Sequence, residues 1–167
     1  MSKAKYPVII FIIAIIISLA LPAFYYTYLS ETVASHFNFK NETDAWMSKK
    51  SFLIIQIAVI LFSSVLIGGF VYLIPRLPKS LFNLPNKYYW LSNERKEESL
   101  MLFQRFMLWF GTLTLGFLTL IMHEVYAENI AGLYRIKFNL WIYLIIYLAA
   151  TTFMIVKMIS HFNKTDK

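Results

Sequence analysis

The chain contains no cysteine, so disulfide staples, thiolate metal sites and cysteine nucleophiles are all excluded. Charge is scarce as well. Only 15% of the residues are Asp, Glu, Lys or Arg, where a soluble domain carries about a quarter. Hydrophobic residues make up 59%. A water-soluble monomer of that composition would expose large apolar patches, and an intrinsically disordered chain needs the opposite balance. Five prolines and five glycines are all that interrupt 167 residues, which leaves room for long unbroken segments. The composition is that of a membrane protein, and the length suits one compact domain.

Four apolar stretches, at 7–29, 52–74, 100–122 and 138–159, are long enough to cross a hydrocarbon core of about 30 Å, which takes about 20 helical residues. A barrel strand would alternate in polarity over about ten residues, and Val8-Ile9-Ile10-Phe11-Ile12-Ile13 does not alternate. The expected fold class is therefore an all-α membrane protein. It is a four-transmembrane-helix bundle forming a single domain over 1–167, with a short ordered outer loop at 30–51 and a cytoplasmic loop at 75–99.

Sixteen basic and nine acidic residues leave a net charge of +7, and their placement decides what the excess means. Lys3, Lys5, Arg76, Lys79, Lys87, Arg95, Lys96, Arg105, Lys157, Lys164 and Lys167 fall on one side of the four spans. Lys40, Lys49, Lys50, Arg135 and Lys137 fall on the other. The positive-inside rule then puts both termini and the 75–99 loop in the cytoplasm, and the 30–51 loop and a short 123–137 link outside. Insertion and anionic lipid account for the basic face, so membrane lipids are expected partners and nucleic acid is not. A cleaved signal peptide is the rival reading of the first span. Lys3 and Lys5 precede it and Ser18-Leu19-Ala20 is a small-x-small site, but the apolar run continues past that site into Ala23-Phe24-Tyr25-Tyr26.

Within the spans, Ser64-x-x-x-Gly68 and Thr112-x-x-x-Gly116 are small-xxx-small pairs expected to pack the bundle internally. Pro22 should kink the first helix near its outer end. Ser92 or Asn93 is the expected cap of the third helix, with Glu94, Glu97 and Glu98 suiting its positive dipole. Gln56 needs an interhelical partner, and Arg105 should snorkel to the surface. The span centres offer almost no ionisable groups, which argues against a monomeric transporter or channel.

The outer loop carries the densest chemistry. Ser35-His36-Phe37-Asn38-Phe39-Lys40 alternates, so an extended strand puts His36, Asn38 and Lys40 on one face and Phe37 and Phe39 on the other. Asn41 tolerates positive φ. A reversal there returns Asp44 and Trp46 towards His36, with Phe37, Phe39 and Trp46 as surface anchors. The pattern Leu29…Val33…His36-Phe37-Asn38…Asp44-x-Trp46-x-Ser48-Lys49, lying between two membrane helices, resembles the domain of unknown function found at the N-terminus of SdpI-type proteins. That group of bacterial membrane proteins includes toxin-immunity proteins. The resemblance covers about residues 10–60; Ser30 stands where the family often has proline, and Asn41 where it has glycine. It implies a bacterial cytoplasmic membrane protein and, by extension, a protective or signalling role. The second half does not resemble the SdpI membrane domain.

The leading expectation is a binding or protective module without a cofactor, recognising a peptide, lipid or membrane-protein partner at its outer face. Its candidate residues are His36, Asn38, Asp44, Trp46, Ser48 and Lys49, with His123 and Glu124 from the outer end of the third span. The competing class is an enzyme or metal-binding protein. It would use His36 with Asp44, with Ser35 or Ser48 as nucleophile, or His36, His123 and Glu124 as N/O ligands. A purely structural subunit of a membrane complex is the third. The Leu84-Pro85-Asn86-Lys87-Tyr88-Tyr89-Trp90-Leu91 segment reads either as an interfacial hairpin or as a docking site for a partner.

Overall fold

The computed structural model describes residues 5–136 and 140–165. Lys3, Lys137, Asp166, Lys167 and the expected start of the fourth span at Phe138 lie outside them. Four helices are long and apolar enough to cross a membrane. They are α1 (Lys5–Tyr26), α2 (Lys49–Leu73), α4 (Lys96–Ala131) and α5 (Leu140–Asn163); α3 is one turn at Lys87–Trp90. α1 and α2 are joined by a hairpin of β1 (Thr32–Phe37) and β2 (Thr43–Ser48), antiparallel and irregular around His36. This is the expected four-span bundle with an ordered loop between its first two helices.

Solvation by oil is written in the burial pattern. Ser18, Gln56 and Ser64 are buried, while Ile16, Phe62, Val65, Ile145 and Phe153 are more than half exposed. These three buried polar side chains are bonded across or along a helix, as a dry interior requires. The Ser18 and Thr119 hydroxyls pair at 2.7 Å, and Ser64 Oγ donates to Ile60 O. Three apolar clusters stack along the bundle: one beneath the hairpin around Leu29, Val33, Phe52 and Tyr126, one in the middle around Phe11, Ile60 and Leu115, and one at the far end around Ile74, Leu91 and Leu100. α4 is the axle. It packs on α1, α2 and α5, whereas α5 packs chiefly on α4.

α4 differs most from expectation. Thirty-six residues at 1.5 Å each make a rod of about 54 Å, far longer than a hydrocarbon core. The helix does not stop near Met122. It continues because Met122, Val125, Tyr126 and Asn129 fall at i, i+3, i+4 and i+7 and keep one face turned to the hairpin. Gly132, at φ 66°, ends it by donating its N–H to Asn129 O while Leu133 N–H reaches Glu128 O. At the other terminus Ser92 and Asn93 do not cap the helix. Arg95 holds the cap position without a side-chain bond, and Glu97 and Glu98 occupy the first turn.

The expected role of the small-xxx-small pairs also needs correcting. An added Cβ at Gly68 or Gly116 would meet nothing within 4 Å. The close approach is at Gly111, where a Cβ would sit 2.7 Å from Ile67 and 2.7 Å from Phe11. The α3 segment, read as an interfacial hairpin or a docking site, clasps the end of α5. Asn86 Nδ2 and Trp90 Nε1 both donate to Phe162 O, and Asn86 also reaches Asn163 O, satisfying carbonyls a helix end leaves open.

Candidate functional site

The hairpin reverses at Asn41, whose φ is 61°. Asn38 builds the turn: its Oδ1 accepts from the N–H groups of Lys40 and Glu42 at 2.8 and 3.1 Å, an Asx arrangement. The reversal brings Asp44 beside His36, and His36 Nδ1 meets Asp44 Oδ1 at 2.5 Å. Both side chains are open to solvent, His36 at 69% and Asp44 at 44%.

Two clamps hold this exposed pair in place. Beneath it, Val33 and Ala34 are wholly buried against α4. Ala34 N–H donates to Asn129 Oδ1 at 2.7 Å, and Asn129 Nδ2 donates to Ala34 O at 3.0 Å and to Val125 O at 2.9 Å. One side-chain amide thereby pairs both backbone groups that β1 turns towards α4. Residues 134–136 cover the other edge. Thr43 N–H and its hydroxyl both reach Tyr134 O, Ile136 N–H reaches Asn41 O, and Glu42 bridges to Arg135. Deeper still, Tyr126 is stacked on Tyr25 and donates its hydroxyl to Gln56.

His36 and Asp44 stand at the rim of a cleft of about 350 Å³. Asn38 and Asn41 share the rim, and Phe117, Ile121, Trp141 and Leu144 of α4 and α5 supply apolar walls. Phe39 is stacked on Trp141 with centroids 5.9 Å apart. A cavity with one polar edge and oily walls suits an amphiphile: two hydrogen-bonding side chains for a head group, aromatic and aliphatic surface for a tail.

The remaining candidates are placed elsewhere. Trp46 packs edge-on to Tyr134. Ser48 is the N-cap of α2 and accepts from Ser51 N–H. Lys49 pairs with Glu31 at 2.8 Å. His123 is bonded to the Tyr25 hydroxyl at 2.9 Å, and Glu124 accepts from Tyr143 at 2.8 Å. His36, His123 and Glu124 are therefore not brought together, and among the described residues no three His, Asp or Glu side chains form a group able to hold a metal ion. Ser35 and Ser48 are not assembled with His36 as nucleophiles either. Ser35 lines a separate cavity of about 170 Å³ between α1, α2 and α4. Sequence reasoning missed Asn129, Tyr126 and Trp141. Only the i, i+3, i+4, i+7 spacing from Met122 could have exposed the first two.

Residues 13–62 match the family model described as domain of unknown function (DUF1648). The match spans the greater part of α1, the hairpin and the first half of α2, in agreement with the resemblance read from His36-Phe37-Asn38 and Asp44-x-Trp46. No curated protein and no solved structure matches the chain. It is a multi-span, membrane-type protein whose residues 13–62 match this domain, with the second half of the molecule supplying the clamp and the cleft walls.

Proposed function

We propose that the protein is a binding module of the bacterial cytoplasmic membrane, with both termini inside, whose outward hairpin captures an amphiphilic ligand. The observation that carries the reading is the shared lining of one cleft by the exposed His36–Asp44 pair and by apolar residues of α4 and α5. An apolar segment would lie against Phe117, Ile121 and Leu144, and its polar end would bond His36 and Asp44. Access from the bilayer surface suits a membrane-active peptide. A protective role of the kind found among SdpI-type proteins would then be sequestration of such a peptide before it inserts. Sidedness is supported by the eleven cations assigned to the terminal side.

Binding is favoured over catalysis by the surroundings of His36. Its pairing with Asp44 would orient a base as readily as a ligand contact, but the two candidate nucleophiles are placed elsewhere: Ser48 caps α2 and Ser35 lines another cavity. The test uses full-length protein in nanodiscs and a dansyl-labelled amphipathic peptide. Energy transfer from Trp141, taken as the difference from Trp141→Phe, should rise on binding. It should weaken about tenfold in affinity in His36→Ala/Asp44→Asn, the loss of about 1.4 kcal/mol expected for one to two hydrogen bonds. Leu144→Trp, which fills the cleft, should abolish it. Unaltered transfer in both variants would refute the reading.

A further inference from the structure

At the opposite end of the molecule, α4 and α5 leave a second groove of about 320 Å³. Arg105 and Trp109, one turn apart on α4, face Lys157 and His161, one turn apart on α5, and Leu102, Phe106, Met154 and Met158 complete the lining. Among the described residues no carboxylate lines it. Among the described residues Arg105 and Lys157 pair with no Asp or Glu, and Lys157 meets only the Phe153 ring at 5.2 Å. Cations set into membrane-spanning helices are costly unless paired, and when they face a groove they mark a ligand. Two of them at one groove, one to three turns inside the helix ends, lie near the depth at which a lipid phosphate resides, and basic pockets between spanning helices bind anionic head groups.

We propose that this groove is a binding site for an anionic phospholipid. Its phosphodiester sits between the Arg105 guanidinium, which can take two phosphate oxygens at once, and the Lys157 ammonium. One acyl chain follows Phe106, Trp109 and Met154. The site is separate from the hairpin cleft, and its failure would leave that cleft untouched. The lipid would also reinforce the α4–α5 contact, which is the chief one α5 makes with the bundle.

The test reconstitutes the full chain in phosphatidylcholine vesicles containing brominated phosphatidylglycerol or, at equal mole fraction, brominated phosphatidylcholine. Quenching that depends on Trp109 is the difference between wild type and Trp109→Phe. The expected result is a preference for the brominated anionic lipid of about fivefold per cation, lost in Arg105→Gln/Lys157→Gln and retained in Lys157→Arg and in the surface control Lys79→Gln. Helicity by circular dichroism confirms that each variant is folded. Equal quenching by the two lipids, or a preference that survives the double glutamine variant, overturns the proposal. Relief of the quenching by inorganic phosphate alone would also overturn it, because the site would then read a free anion.

Discussion

Replacing Asn129 with alanine removes a side chain that joins the two halves of the molecule by pairing both backbone groups of Ala34. Ala34 is fully buried, and its N–H and C=O are both paired to the Asn129 amide, at 2.7 and 3.0 Å. In Asn129→Ala both groups lose their partner inside an apolar contact between β1 and α4. Each orphaned buried group costs about 1–3 kcal/mol. Partial relaxation of the hairpin towards water keeps the pair near the lower end, at about 2–3 kcal/mol. Because α1 and α2 remain anchored in lipid, the loss appears as local opening of the hairpin rather than as global unfolding. At about 1.4 kcal/mol per factor of ten, amide exchange in peptides covering 32–37 should accelerate about 30- to 160-fold, measured by hydrogen–deuterium exchange mass spectrometry in nanodiscs. Asn129→Asp keeps an acceptor for Ala34 N–H but sets a buried carboxylate oxygen against the carbonyls of Ala34 and Val125, so it should open the hairpin at least as much as alanine. Unchanged exchange in Asn129→Ala would refute the clamp and with it the claim that the second half of the chain positions His36.

Gly111→Ala should destabilise the bundle by about 1–3 kcal/mol through overpacking against Ile67 and Phe11, whereas Gly116→Ala, with nothing within 4 Å, should be neutral or stabilising by up to about 1 kcal/mol; denaturation in mixed micelles compares the two, and an equal effect would remove the distinction. Tyr126→Phe leaves Gln56 Oε1 without its phenol donor and should cost about 0.6–2 kcal/mol in the same assay, with the larger loss of about 3–5 kcal/mol reserved for Tyr126→Ala. Lys40→Cys, exposed beside the hairpin turn, should react with an impermeant thiol reagent in intact spheroplasts. Labelling only after lysis would reverse the proposed sidedness.

The four helices were legible because oil imposes a simple requirement, about 20 apolar residues per crossing, and the sequence meets it four times. The hairpin was legible for a local reason: polar and apolar residues alternate from His36 to Lys40, followed by an asparagine able to take φ 61°. That geometry also predicted the approach of Asp44 to His36. Asn129 was hidden because its partners are backbone atoms 95 residues away, and a backbone group leaves no trace in residue identity. His123 and Glu124 read as the outer end of the third span, and Glu128 and Asn129 as part of a short link after it. They are instead spread over a helix that continues past the lipid, with His123 exposed and Glu128 and Asn129 buried. Gly68 and Gly116 misled for the converse reason: a small-residue spacing permits close approach without saying which neighbour comes close.

The division of labour in the molecule follows from these two kinds of signal. The DUF1648 match ends at residue 62, so it contains His36 and Asp44 but neither Asn129 nor the cleft walls Phe117, Ile121, Trp141 and Leu144. A two-stranded hairpin is marginal in isolation, and this one owes its order to α4, which closes one edge, and to residues 134–136, which cover the other. The polar pair and its support therefore come from different parts of the chain. Grafting residues 13–62 onto a different second half would preserve the His36–Asp44 chemistry only if that partner also offered a side-chain amide to Ala34, and it would present different apolar walls. If the cleft binds as proposed, the domain would supply the polar contacts, while the helices that follow it would set the shape of the ligand admitted.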